Sequence, residues 1–201
     1  MFALRPALSS DQATLADICI RTGDAGQDAT RLYAEPQLLA DIYVLPYLAL
    51  EPRWCWVVED DGGVAGYLVG APDTRAFARR AEAQWWPALR HRHPLPAVQS
   101  ADPQAHLVRR LHAGVPVEPA LVDSHPAHLH IDILPRAQGR GLGRRLMATF
   151  MQELQVEGVP GVHLGVASGN AGAIAFYRRE GFVVLQDHRA ALWMGRRTLT
   201  A

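Results

Sequence analysis

The stretch Leu129-His130-Ile131-Asp132-Ile133-Leu134-Pro135-Arg136-Ala137-Gln138-Gly139-Arg140-Gly141-Leu142-Gly143 decides how this chain is read. Residues 129–134 predict a strand, and Pro135 opens a loop after it. The loop runs into glycines at 139, 141 and 143. From there residues 141–157 predict a helix, because Leu142, Leu146, Met147, Phe150 and Leu154 fall on one face. The order strand, glycine turn, helix matters more than the glycines alone. Glycines let backbone come close to a ligand and adopt conformations that other residues resist. The helix start adds unpaired N–H groups and the positive end of a dipole. Such a turn suits an anion, a pyrophosphate in particular. Arg136, Arg140, Arg144 and Arg145 bring further positive charge.

The spacing narrows the choice of phosphate ligand. The glycines read G-x-G-x-G, whereas the dinucleotide fingerprint is G-x-G-x-x-G. The Walker pattern requires a Gly-Lys-Ser/Thr ending, and no lysine is present. Both nucleotide readings fail.

Downstream of the turn, Gly158 and Pro160 stop the helix. Residues 162–167 predict a strand with Val162, Leu164 and Val166 pointing inward. Asn170 caps a helix expected over 171–180, with Gly181 after its end. Residues 182–186 and 190–194 close the chain as a hairpin. Its final strand, if exposed, would permit pairing into a homodimer, so monomer and homodimer both stay open.

Upstream, residues 2–5 predict a short strand. Ser9-Ser10-Asp11 offers N-cap oxygens to a helix that Gly23 ends, and 35–43 predict a second helix with Pro36 in its first turn. Residues 54–59 and 64–70 flank Asp60-Asp61-Gly62-Gly63 as a hairpin. Residues 72–128 read as an insertion too interrupted for a core of its own. Within it, 73–90 and 104–112 look helical, and prolines break 94–103 and 115–126. Trp85 and Trp86 there line an acceptor pocket or an interface, or else cover the sheet.

Composition limits the function classes. With 201 residues, 49% apolar and 20% charged, the chain fits one globular domain spanning 1–201. Lys+Arg and Asp+Glu balance at 20 each, which argues against a general nucleic-acid binder. No segment has the roughly 20 apolar residues of a membrane span. No signal peptide is seen, so the expected compartment is the cytoplasm. Cys19 and Cys55 read as buried thiols. Seven histidines between 91 and 130 tempt a metal reading, yet no Cys or Glu set stands at ligand spacing, and no metal is expected.

Gln138, Gly141 and Gly143 match the coenzyme-A signature Gln/Arg-x-x-Gly-x-Gly/Ala, and the chain here resembles the GNAT superfamily of N-acetyltransferases. Residues 129–135 resemble that family's fourth strand, 165–170 its fifth strand and following Asn, and 173–182 its next helix. The specific likeness spans 129–182, and a weaker one extends back through 4–7 and 54–70. Thr22-Gly23-Asp24-Ala25-Gly26 and His130-Ile131-Asp132-Ile133 are similar to the acetyltransferase-like domain of O-GlcNAc hydrolases and its bacterial relatives.

The resemblance implies an α/β (α+β) fold: a central mixed, mostly antiparallel twisted sheet flanked by helices, with a helical insertion before the fourth strand. It implies acetyl-CoA as cosubstrate and direct attack of an amine, of unknown identity, on the thioester. The coenzyme would be held by Ile133, Leu134, Gln138, Gly139, Arg140, Gly141, Leu142, Gly143, Arg144, Asn170, Ala173 and Phe176. Tyr177 would be the acid that protonates the departing thiolate, or else a packing tyrosine. Asp132 is the first choice of base, because burial raises a carboxyl pKa; otherwise it is a strand Asp bonded to a loop. His128 and His130 share its face, and His130 is an alternative base. Glu59 is a weaker one. Acceptor specificity is expected in the insertion or in loop 22–34. The competing reading is a non-catalytic module of the same fold that binds acyl-CoA or a protein.

Overall fold

The computed structural model describes residues 1–96 and 101–198. Its strands are β1 (Ala3–Pro6), β2 (Cys55–Asp60), β3 (Gly63–Ala71), β4 (Ala127–Ile133), β5 (Gly161–Ala167), β6 (Val183–Asp187) and β7 (Ala191–Arg197). They form one sheet in the order β1-β2-β3-β4-β5-β7-β6. Every neighbouring pair is antiparallel except β4 and β5. That parallel pair is short: Ala127 faces Val162, and His128 faces His163. Beyond those positions the two strands part and a gap opens between them.

The helices are α1 (Gln12–Thr22), α2 (Gln37–Tyr43), α3 (Leu45–Leu50), α4 (Thr74–Gln84), α5 (Trp86–Arg92), α6 (Pro103–Ala113), α7 (Pro119–Ser124), α8 (Leu142–Val156) and α9 (Ala171–Arg179). Strand alternation sorts the core into two layers. Cys55, Val57, Tyr67 and Val69 point to one face and pack under α1 to α6. Trp56, Val58 and Leu68 point to the other, under α8 and α9. The apolar stripe of α8 is fully committed there: Leu142, Leu146, Met147, Phe150 and Leu154 are all buried. Val162, Leu164 and Val166 join the same layer, as their alternation predicts. The insertion does not stand apart. Phe77, Trp86, Leu89 and Leu111 share one apolar cluster with Leu15, Ile18 and Leu39. Cys19 and Cys55 are both buried and free.

Several elements differ from their sequence expectation. The helix expected over 73–90 is two helices, because Pro87 lies in the first turn of α5 and cannot continue the hydrogen-bonding of α4. Helices α3 and α7 carry Pro46 and Pro119 in their first turns; there proline starts helices instead of breaking them. The oxygens expected at Ser9-Ser10-Asp11 do not cap α1. Asp11 instead accepts from the Leu8 N–H at 2.8 Å and pairs with Arg5 at 2.7 Å. The final strand is not the exposed edge. The hairpin folds back so that β7 pairs with β5, and β6 is outermost, with Val183 and Val184 exposed. Part of the proline-broken stretch 94–103, residues 97–100, lies outside the described residues. No helix among the described residues is long and apolar enough to cross a membrane.

Candidate active site

The turn before α8 is built by positive backbone angles. Gly139 has φ 71° and Gly141 φ 73°, with open space where a Cβ would stand. Their need for glycine is therefore conformational. Gly143 serves a different end: its Cβ would come 3.2 Å from the Phe176 ring, so its absence lets α9 close against α8. Gln138 folds back, its Nε2 donating to the Ile133 carbonyl at 2.8 Å, which ties the turn to the end of β4. Asn170 caps α9, accepting from the Ala173 N–H at 3.0 Å.

Together these elements line a cleft of about 1430 Å³ where β4 and β5 part. Its walls include Ile133, Gln138, Gly139, Gly141, Leu142, Gly143, Arg144, Asn170, Ala173 and Phe176, together with His130, Asp132 and Tyr177. The sequence-named residues thus converge, with exceptions. Leu134 is buried in the opposite layer, and its N–H is spent on the Ala65 carbonyl at 2.8 Å. Arg140 turns outward, its guanidinium 5.7 Å from the Phe2 ring centre. Arg136 is held by Asp60 at 2.6 Å and is no free cation. Glu59 pairs with Arg5 at 2.8 Å. Loop 22–34 does reach the cleft, through Thr22, Ala25, Gln27 and Tyr33, and so does Arg179 of α9.

Asp132 lines the cleft, half-buried. Tyr67, opposite it on β3, donates its hydroxyl proton to Asp132 Oδ2. Burial pushes the Asp132 carboxyl up to about 6, against the opposing pull of the Tyr67 and Thr22 hydroxyls. Tyr177 is buried, and its hydroxyl makes no hydrogen bond among the described residues. Burial first, and the nearby Asp132 charge second, hold its phenol well above the ordinary range. It is a protonated donor at any working pH.

The histidines of β4 form a chain whose proton positions follow from their partners. Thr74 Oγ1 donates to the Pro126 carbonyl at 2.6 Å, so it must accept from His128 Nδ1 at 2.8 Å. Burial holds His128 far below its ordinary pKa, so the ring is neutral and its Nε2 is an acceptor. Tyr47 therefore donates to His128 Nε2 at 2.8 Å, and His130 Nε2 donates to the Tyr47 oxygen at 3.2 Å. His130 is also neutral, lowered to about 4 by burial and by Arg110, which leaves its Nδ1 lone pair unprotonated. Tyr47 and Tyr67 are the partners that sequence reasoning missed. Tyr47 sits on α3, whose proline disguised it. Tyr67 faces Asp132 across a strand pair whose register only the fold reveals. Among the described residues no group of three or more His, Cys, Asp or Glu converges on a metal position.

Comparison with known proteins agrees with this geometry. A family model described as Acetyltransferase (GNAT) family matches residues 27–182. The crystal structure of SsHAT superposes with a TM-score of 0.90 at 38% identity, covering 99% of both chains. Protein O-GlcNAcase of Rattus norvegicus is 24% identical over 183 residues, which are 90% of this chain and 20% of the relative. The chain thus spans about a fifth of that curated relative. The structure of yncA from Salmonella typhimurium, with its cofactor acetyl-CoA, has a TM-score of 0.55 at 17% identity, covering 100% and 95% of the two chains, and shows likeness of fold.

Proposed function

The chain belongs to the acetyltransferase (GNAT) family, and we propose that it binds acetyl-CoA in the β4–β5 cleft and transfers the acetyl group to an amine. The observation that carries the reading is the convergence in one cleft of the glycine turn, Asp132 and Tyr177. The turn and the start of α8 would hold the pyrophosphate, with Arg144 adding charge. The pantetheine arm would run along β4 past Ile133 toward the gap, between that strand and Asn170.

At the gap the chemistry needs a proton acceptor and a proton donor. An ammonium acceptor gives one proton to Asp132, whose raised pKa matches a working pH near neutrality. The freed nitrogen lone pair attacks the thioester carbonyl carbon. The C–S bond breaks, and the sulfur leaves with the electron pair. Tyr177 gives the thiolate its phenolic proton, and the proton that the nitrogen sheds restores the phenol. His130, neutral with a free Nδ1, stands beside the path as the alternative base.

Residues 1–201 would act as one unit, in the cytoplasm, as monomer or homodimer, with neither nucleic acid nor membrane as partner. The balanced charge supports the lack of a nucleic-acid partner. Thermal shift with acetyl-CoA tests the binding, since a ligand stabilises the folded state by mass action. Free-thiol release over an amine panel tests the transfer. Stabilisation by acetyl-CoA without thiol release for any amine would replace this reading with the non-catalytic module. Stabilisation by ATP or NAD alone would overturn both.

A further inference from the structure

A second cavity, of about 310 Å³, lies behind the gap. It shares Tyr43, Leu129, His130, Gly165, Val166 and Ala167 with the coenzyme cleft, so the two meet where β4 and β5 part. Its volume is at the small end of the roughly 300–1,000 Å³ of ligand pockets, a size for a small molecule.

Its charge is one-sided. Among the described residues no Asp or Glu lines it, and the histidines in its wall, His128, His130 and His163, are all held neutral by burial. The charged side chain in the lining is Arg110 of α6, half-buried, which donates to the Gly114 carbonyl and has no carboxylate partner among the described residues. Glu82 also comes near Gly114, but it is outside the lining and Arg90 holds both its oxygens. Trp86 belongs to the same wall, with its donor nitrogen beneath the cavity surface. Trp86 is 3% exposed, and its indole N–H is buried without a hydrogen-bond partner. That nitrogen lies 3.9 Å from where a Cβ on Gly114 would stand, next to the loop that Arg110 grips. An unpaired buried donor costs free energy, which a small shift of the ring toward a ligand acceptor in the cavity would recover.

We propose that this cavity takes the acceptor, and that the acceptor is a small primary amine carrying an anionic group, a carboxylate or a phosphate. Arg110 and the Trp86 N–H hold the anion, and the amine reaches the thioester past His130. A polyamine or a lysine-rich peptide finds no carboxylate here for its further positive charges. The assignment rests on the acetyl-transfer reading above.

The test is thiol release by the full chain with acetyl-CoA and matched acceptors. Amino acids and amino-sugar phosphates form the anionic arms; amino-acid amides, unphosphorylated amino sugars and polyamines form the others. Some anionic amine should exceed its neutral match at least tenfold in kcat/KM, and the better arm tells carboxylate from phosphate. Arg110→Gln should raise KM for that acceptor about tenfold or more and erase the preference, with the acetyl-CoA thermal shift intact and Arg110→Lys restoring part of the loss. Trp86→Phe should raise the same KM a few-fold. Preference for neutral or cationic amines, no anionic acceptor among amines that do react, or wild-type KM in Arg110→Gln overturns the proposal. The wild-type panel decides even if a variant fails to fold. Absence of acetyl-CoA binding, or of thiol release with every amine, instead overturns the reading beneath it.

Discussion

The large cleft and the small cavity meet at His130, yet they are made of different material. The turn of the cleft is largely backbone: two glycines at positive φ, a helix start, and a strand end tied back by Gln138. The cavity is side chains: Arg110, Trp86, Tyr47 and Trp193 arrive from four separate elements. A backbone site tolerates change in its neighbours but not in its turn. A side-chain site can be rebuilt residue by residue without touching the fold. One region is thus suited to a fixed cosubstrate and the other to a variable acceptor. Asp132 and Tyr177 line the cleft and not the cavity, close to the gap where the two meet.

The largest expected effect lies at that gap. Asp132→Asn should lower kcat/KM by about a hundred- to ten-thousandfold, the usual range for a general base. The acetyl-CoA thermal shift should stay unchanged, which separates chemistry from the cleft. The pH profile sharpens the assignment. With Asp132 as base, wild-type kcat/KM climbs through a limb near 6; with His130 as base, the limb falls near 4. A limb near 4 together with an Asp132→Asn enzyme within tenfold of wild type would move the base to the histidine.

Tyr177→Phe comes next. Its hydroxyl has no hydrogen bond among the described residues to lose, so the fold should hold while kcat falls by about a hundredfold, the low end of that range, for want of an acid. Unchanged turnover in rapid-quench or thiol-release measurements would leave Tyr177 as a packing residue. Gly141→Val should act on the cleft alone. An L-residue in the left-handed region costs about 1–2 kcal/mol, and expressed wholly in binding this weakens acetyl-CoA by roughly five- to thirtyfold. Calorimetric titration reads it. Wild-type affinity would show that the turn can be remade without its glycine.

The same contrast explains what the sequence discloses. The α8 turn was legible because backbone sites need particular residue types at fixed spacing. The stripe of α8 and the alternation of β5 were legible because one periodic face of each is buried. The Leu134 side chain faces the opposite layer because one step along a strand reverses the face. Arg140 and Arg136 stand outside the cleft lining because a long side chain beside a turn can find another partner, here Phe2 and Asp60. Tyr67, Tyr47 and Arg110 reach the site across a strand register, a proline-started helix and the insertion. No local pattern encodes those distances, so the acceptor side becomes readable only in three dimensions.

The smallest expected effect tests whether Asp132 is held at a cost to folding. Its carboxyl stands near 6 in the folded chain against an ordinary 3.8. Between those values the folded chain holds a proton that the unfolded chain has released. Stability therefore falls as pH rises through that window, and the whole loss is present above about 6. Asparagine carries no charge to bury and still offers an oxygen to the Tyr67 hydroxyl. Asp132→Asn should thus be more stable than wild type at pH 7 by about 1–3 kcal/mol. For a chain of this size that is roughly 2–10 °C in Tm, and the difference should vanish toward pH 4. A gain that appears only as the carboxyl ionises would mean that the fold keeps a destabilising acid where the two cavities meet, as a base poised for catalysis requires. An equal or lower Tm at pH 7 would mean that the carboxylate is comfortable there, and the argument from its raised pKa to its role as base would fail.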